Sequence, residues 1–250
     1  MSGSVTRVEL EPALVLHTRD YRNTSLLLEL ISRDHGRVGL VARGVRGRRS
    51  PSAGLLQPFQ PLAVSWRRRG DLGALQAVES AGRPLVLRHR RLVSGFYANE
   101  LLMRLLHRDD PQPGVFAIYL QLLEGLAGDQ PEASLLRRFE RDLLALLGYG
   151  LPLQRDVNDQ ALVPDQAYRY DPAIGAMPVG SPTGRDVVTG RVLIGLAATP
   201  IEDWVARQTR DIMRLALRAH IGERPLKSRE LYARYTVKGD HDNGASSGQP

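Results

Sequence analysis

The sequence contains no cysteine. This excludes a disulfide framework, thiolate zinc sites and cysteine nucleophiles, and it agrees with a reducing compartment. Lysine is almost as scarce: only Lys227 and Lys238 occur, so the 34 basic residues, set against 27 acidic ones, are nearly all arginine. The planar guanidinium fork suits phosphate, yet a GC-rich genome produces the same bias, so where the charge lies is more informative than its type. No stretch approaches the roughly 18 apolar residues of a membrane span, and the opening MSGSVTRVEL lacks the apolar core of a signal peptide. A soluble, cytoplasmic protein with no membrane partner is expected. At 250 residues the chain is long enough for a sizeable core, and two domains are expected.

The most informative absence is local. From His35 to Gly70 there is no Asp or Glu, yet the segment carries Arg37, Arg43, Arg46, Arg48, Arg49 and the run Arg67, Arg68, Arg69. Guanidinium groups without local counter-charge attract anions, whereas a surface meant only for solubility interleaves both signs. A nucleic-acid backbone is the expected anion. The arginines fall in two groups, each at the end of a strand-like run, which places charge on loops and apolar side chains between them.

Five short strands are predicted in the first 80 residues: Ala13–His17, Ser25–Ile31, Arg37–Ala42, Leu62–Trp66 and Ala74–Glu79. Turns and one longer, basic loop join them, the pattern of a small antiparallel barrel such as the oligonucleotide-binding OB-fold. From Pro84 the pattern becomes helical. Leu101, Leu102, Leu105 and Leu106 form one apolar face, and a second helix is expected over Val115–Ala127. A third follows Pro131, with Leu135, Phe139, Leu143 and Leu147 every fourth residue. Residues 151–183 lack a helical period and read as an irregular excursion with a short hairpin. Thr199, Pro200 and Glu202 have capping-box spacing and predict a helix to about His220, with Ile201, Val205, Ile212, Leu215 and Ala219 inward and Arg207, Arg210, Arg214 and Arg218 outward. A short helix is expected near Ser228–Tyr235, and disorder over Gly239–Pro250. The fold class is therefore mixed α+β: an N-terminal five-stranded barrel over 1–82, a helical domain over 83–238 and a tail over 239–250.

Catalytic motifs are missing. No two histidines share a metal-ligand spacing on a predicted element, and Asp240, His241 and Asp242 lie in the tail. No phosphate-binding loop, nucleophile elbow or zinc-protease motif occurs, and Asp109 and Asp110 are adjacent residues that would point apart on a helix. Gly44, Val45, Arg46 and Gly47 match the Gly-x-x-Gly loop at which KH domains approach nucleic acid, or else form a plain surface loop. Trp66 is either a stacking platform for bases or a core residue at a strand end, and Tyr21, in the first turn, is the more exposed stacking candidate. The arginine stripe on the last long helix is a solvated face, or a receiver for an acidic peptide or DNA.

Several separated blocks resemble the RecO recombination mediators. They are Ala13-Leu-Val-Leu-His-Thr-Arg, Thr24-Ser25-Leu26, Gly36-Arg37-Val38, Leu40-Val41-Ala42-Arg43-Gly44 and Leu56-Gln57-Pro58-Phe59. Further blocks are Leu136-Arg137-Arg138-Phe139-Glu140, Leu147-Gly148-Tyr149-Gly150 and Pro225-Leu226-Lys227-Ser228-Arg229-Glu230-Leu231. The resemblance implies an N-terminal OB-fold and a helical C-terminal domain. It implies binding of single- and double-stranded DNA, strand annealing, and loading of the RecA recombinase, with RecR, onto DNA coated by single-stranded DNA-binding protein (SSB). RecF is a further candidate partner, localisation is with the nucleoid, and neither catalysis nor a cofactor is implied. Many members carry a four-cysteine zinc site in the region matching 151–183, which this sequence cannot build.

With the resemblance, the DNA-contacting set is expected to be Tyr21, Arg37, Arg43, Arg46, Arg48, Arg49, Trp66, Arg67, Arg68 and Arg69. The set for the acidic SSB tail is expected to be Arg137, Arg138, Arg214 and Arg218, although Asp142, one turn after Arg138, would equally make that arginine a structural ion-pair partner. The rival readings are an OB-type RNA-binding module and an unrecognised enzyme, for which a metal-dependent nuclease assay is the check and which no carboxylate cluster supports.

Overall fold

The computed structural model describes residues 6–46, 52–181, 183–184, 187–222 and 224–228. By packing, the chain divides into two compact units: residues up to Ala127 together with those from Pro225 onward, and Gly128–Arg224. The change from strand to helix composition near 83 falls inside the first of these.

Five strands build the first unit: β1 (Thr6–Tyr21), β2 (Ser25–Ser32), β3 (Gly36–Ala42), β4 (Leu62–Arg68) and β5 (Gly73–Ser80). They close in the order β1-β2-β3-β5-β4, with β3 and β5 parallel and every other pair antiparallel. This is the small closed barrel expected from the strand count. β1 is far longer than Ala13–His17 because it serves two partners. Its first half pairs with β4 and its second with β2, and Ala13 faces both Leu62 and Ser32. Register breaks at Val8/Glu11 and Val15/His17 bend it around the barrel. The charged alternation of Thr6–Glu11 conceals the first half of the strand in the sequence.

Ala13, Val15, Leu28, Leu30, Val38, Leu40, Leu62, Val64 and Trp66 fill the barrel. The residues between them on β1 and β2 are buried as well: Leu14, Leu16, Leu27 and Ile31 are at most 3% exposed. Helices α1 (His89–Leu105) and α2 (Pro113–Ala127) pack on β1 and β2 respectively. A strand covered on both faces reads as a continuous apolar run, which explains Leu26-Leu-Leu-Glu-Leu-Ile. Asn99 on α1, 3% exposed, donates to Leu16 O (2.9 Å) and accepts the Tyr119 hydroxyl from α2. Burial pushes the Tyr119 phenol well above its ordinary range.

The second unit contains α3 (Glu132–Leu146), β6 (Ala167–Asp171), β7 (Gly175–Pro178), β8 (Val187–Thr189), α4 (Gly190–Ala197), α5 (Asp203–Gln208) and α6 (Arg210–Ile221). α3 buries Leu135, Phe139 and Leu143, as the four-residue spacing predicts, while Leu147, the fourth of that row, is the C-cap and only half-buried. The expected hairpin is β6–β7, and β8 adds a third strand beside β6. Asx turns hold the segment. Asp156 Oδ1 accepts from Asn158 N (2.8 Å) and Gln160 N (2.9 Å), and Asp171 Oδ1 from Ala173 N (2.8 Å).

The predicted helix over 200–220 is corrected to two. The first begins at Asp203 with Glu202 as N-cap and no side-chain capping bond, so the capping box does not form. The break lies at Thr209, which is fully buried and whose Oγ1 donates to Val205 O (2.9 Å). The inward face also differs from the expectation: α6 buries Met213, Ala216 and Leu217, continuing the face of Val205, Ala206 and Thr209, while Leu215 is 54% exposed and Ala219 is exposed. The helix expected beyond Ser228 and the disorder expected over Gly239–Pro250 fall outside the described residues.

Candidate nucleic-acid interface

The outer surface of β2 and β3, which OB-folds use together with their β1–β2 and β4–β5 loops to hold oligonucleotides, is closed here. Ile31 pairs with Arg37, Glu29 with Gly39 and Leu27 with Val41, and these pairs define that surface. Glu29 is 6% exposed. Its carboxylate receives Arg37 Nε (2.9 Å) and the guanidinium of Arg108, while Arg37 Nη1 also donates to Met103 O (2.6 Å) and Leu106 O (3.1 Å) at the end of α1. Gly39 lies under this lid, where an added Cβ would stand 2.9 Å from Leu72 and 3.0 Å from the Arg108 guanidinium. Burial by itself would raise the Glu29 pKa; hydrogen bonds and charge from Arg108 and Arg37 outweigh it and hold the carboxyl below its usual range.

Two of the expected contact residues are therefore reassigned. Every donor direction of Arg37 that the structure records goes to protein, so it belongs to the lid and not to a DNA surface. Trp66 is 2% exposed inside the barrel, with its ring edge-on to His35 at 5.3 Å. It cannot offer a face to a base. Alternation along β4 is the reason: Val64 and Trp66 point inward, while Arg67 points outward.

Strand register brings the outward arginines together. Arg19 on β1 faces Leu27, Leu27 faces Val41, Val41 pairs with Ala74, Ala74 faces Arg67, and Arg67 faces Arg7. Directly opposed residues share a face of the sheet, so this is one row around the outside of the barrel, running from Arg19 through the buried Leu27 and the half-buried Val41 and Ala74 to Arg67. Arg19, Arg43, Arg67 and Arg69 are all exposed, and among the described residues they carry no hydrogen-bond or ion-pair partner. Arg7 at the end of the row is paired with Glu9 (2.5 Å). Arg19 was missed in the sequence because it lies outside the acid-free stretch, between His17 and Asp20. Only the pairing register shows that it shares a row with Arg67.

The start of the basic loop is fixed to the β1–β2 turn. Val45 is 6% exposed and joins the barrel core, Arg46 N donates to Thr24 O (3.0 Å), and the Arg46 guanidinium meets Asp20 at 2.8 Å. Gly44 has φ +71 with open space around it, so the first half of the Gly-x-x-Gly motif is an exposed left-handed turn. Tyr21 is half-buried, and Arg22 covers its ring at 5.4 Å. Arg68 is engaged bidentately by Asp109. Gly47, Arg48 and Arg49 lie outside the described residues.

In the second unit the four arginines expected to meet an acidic tail separate. Arg137 is 9% exposed, with its guanidinium 2.7 Å from the fully buried Glu140 and 3.4 Å from Arg210 O. It is structural, contrary to expectation, because one residue's shift from Arg138 turns it from the surface of α3 into the packing with α6. Arg138 is half-exposed, with Asp142 at 3.8 Å. Arg214 and Arg218 are exposed, one turn apart on α6. Among the described residues no three His, Asp or Glu side chains converge as metal ligands. Among the described residues no helix is long and apolar enough to cross a membrane.

Residues 7–83 match the family model "Recombination protein O N terminal", and residues 88–230 match "Recombination protein O C terminal". A DNA repair protein RecO of Coxiella burnetii is 46% identical over 227 residues, covering 90% of this chain and 98% of that one. The protein of the same name in Halorhodospira halophila is 44% identical (89% and 95% covered), and that in Methylococcus capsulatus is 43% identical (92% and 95%).

Proposed function

Since the chain belongs to the RecO family of DNA repair proteins, we propose that it acts as a recombination mediator, binding single- and double-stranded DNA through phosphates and annealing complementary strands. With RecR it helps load RecA onto SSB-coated single strands, and RecF is a further partner. No catalysis takes part. The observation that carries this reading is the outer row and its margin: Arg19, Arg43, Arg67 and Arg69, exposed and without protein partners among the described residues. Two like-charged strands repel, and arginines that neutralise both backbones lower that cost while leaving base edges free to pair. With Trp66 buried, the surface offers phosphate contacts and almost no stacking platform, so binding is indifferent to sequence and steeply dependent on salt. For the acidic SSB tail, Arg214 and Arg218 beside the exposed Leu215 supply the charge and apolar contact that carboxylates and an aromatic require.

The test is fluorescence anisotropy of a mixed-composition single strand across a salt series, comparing the wild type with the chain in which Arg19, Arg43, Arg67 and Arg69 are all alanine. Loss of three or four contacts makes the log–log slope shallower by about 2 to 3, at roughly 0.7 per phosphate on single strands. An unchanged slope overturns the assignment of this surface. A strong preference for RNA of the same sequence would instead favour an RNA-binding module.

A further inference from the structure

Of the three consecutive arginines at the end of β4, the outer two have no partner among the described residues and the central one is occupied. The occupant comes from the α1–α2 connection, which runs alongside β3. Arg108 bridges Arg37 in parallel fashion, Asp109 N donates to Arg37 O (2.8 Å), and Asp110 O lies so close to Gly36 that a Cβ there would stand 1.9 Å from it. The connection is thus fixed to the strand by its backbone, with Asp109 at φ 62. From that position both oxygens of the Asp109 carboxylate accept from the two terminal nitrogens of Arg68, while Arg68 Nε donates to Gly70 O (2.8 Å). The pair is at the surface, with side chains 25% and 36% exposed. Asp71 and Arg108 are the other charges near Arg68, and Arg108 is itself committed to Glu29.

We propose that Asp109 is a built-in competitor for DNA phosphate: its carboxylate fills the fork of Arg68, which at the end of β4, between Arg67 and Arg69 in the chain, would otherwise offer a further phosphate contact, and so holds down the affinity for DNA. Carboxylate and phosphate take the same bidentate geometry on a guanidinium, so one can replace the other without moving the arginine. A surface ion pair contributes little to stability, so it can be lost when a stronger anion arrives. Backbone anchoring keeps Asp109 in place after its carboxylate is displaced, ready to compete again as the strand leaves. The proposal rests on reading this face as the DNA surface.

The test is the same anisotropy salt series with Asp109→Asn, which keeps shape and removes charge, and Asp109→Ser as a second variant, both checked for an unchanged melting temperature. Freeing Arg68 is expected to tighten binding roughly three- to fivefold and to steepen the log–log slope by about 0.7, the value of one additional phosphate contact. In the Arg68→Ala background, Asp109→Asn is expected to change neither. If the wild type binds with a salt-dependent slope and both Asp109 variants match it in affinity and slope, the competitor is overturned while the DNA reading stands. A wild type that does not bind, or binds without salt dependence, overturns both.

Discussion

One barrel carries two arginine-rich surfaces that differ in what the arginines touch. On the β2–β3 side, Arg37 and Arg108 are committed to a buried carboxylate and to the carbonyls that end α1. On the row running from Arg19 to Arg67, the guanidinium groups are exposed and have no protein partner among the described residues. The same side chain is a structural tie in one place and a free cation in the other. What separates them is the chain that returns to each: the end of α1 and its connection to α2 bring carbonyls to Arg37 and set Arg108 on Glu29, while no acceptor among the described residues reaches Arg19 or Arg67.

The largest effect that would sharpen this contrast is expected inside the barrel. Trp66→Ala removes a ring that is 2% exposed and should cost about 3–5 kcal/mol in denaturant unfolding. Trp66→Phe, which keeps most of the volume, should leave DNA affinity at fixed salt unchanged; a marked loss of affinity would mean that the ring reaches nucleic acid after all.

Next comes the lid. Glu29→Ala leaves Arg37 and Arg108 without their carboxylate and should cost about 3–5 kcal/mol, the usual penalty for breaking a buried pair by removing one partner. The effect has a definite pH signature. The folded-state pKa of Glu29 is depressed, so the unfolded chain binds the proton more readily. The stability contributed by Glu29 is fully present above its unfolded value of about 4.3 and is lost as pH falls through the folded value. Glu29→Gln should therefore flatten the acid limb of stability against pH between about 4.3 and the lower folded value. If the limb were as steep in the variant, the lid would not depend on that charge.

The smallest effect is expected on the open row. Arg43→Ala and Arg67→Ala should each change unfolding free energy by less than about 0.5 kcal/mol, since neither side chain has a protein partner among the described residues to lose. A loss of more than about 1 kcal/mol would make these residues structural and remove the contrast between the two surfaces.

Much of this was legible in the residues, for reasons specific to each. The five strands showed because alternation and turn residues are local properties, and the four-residue spacing of Leu135, Phe139 and Leu143 marked α3 for the same reason. The candidate site was legible as a composition, an acid-free stretch rich in arginine, and Arg43, Arg67 and Arg69 from it do stand exposed. It was not legible as a geometry. Arg37 and Arg67 look alike in sequence, and what distinguishes them is Glu29, Met103, Leu106 and Arg108, remote in the chain. Arg137 and Arg138 are adjacent and equally basic, yet only Arg137 meets the buried Glu140. The break at Thr209 was hidden because a buried threonine bonding back to Val205 O leaves no compositional mark.

By itself, then, the sequence determined the element types, an α+β order and a basic segment without counter-ions, since these follow from short-range periodicity and charge. Tertiary structure decided which arginines are free. Long-range register placed Arg19 in one row with Arg67. The returning α1–α2 connection placed Asp109 on Arg68 and Arg108 on Glu29. A guanidinium group's role depends on whether a carboxylate or carbonyl lies within about 3 Å, and such partners come from wherever the fold brings the chain back.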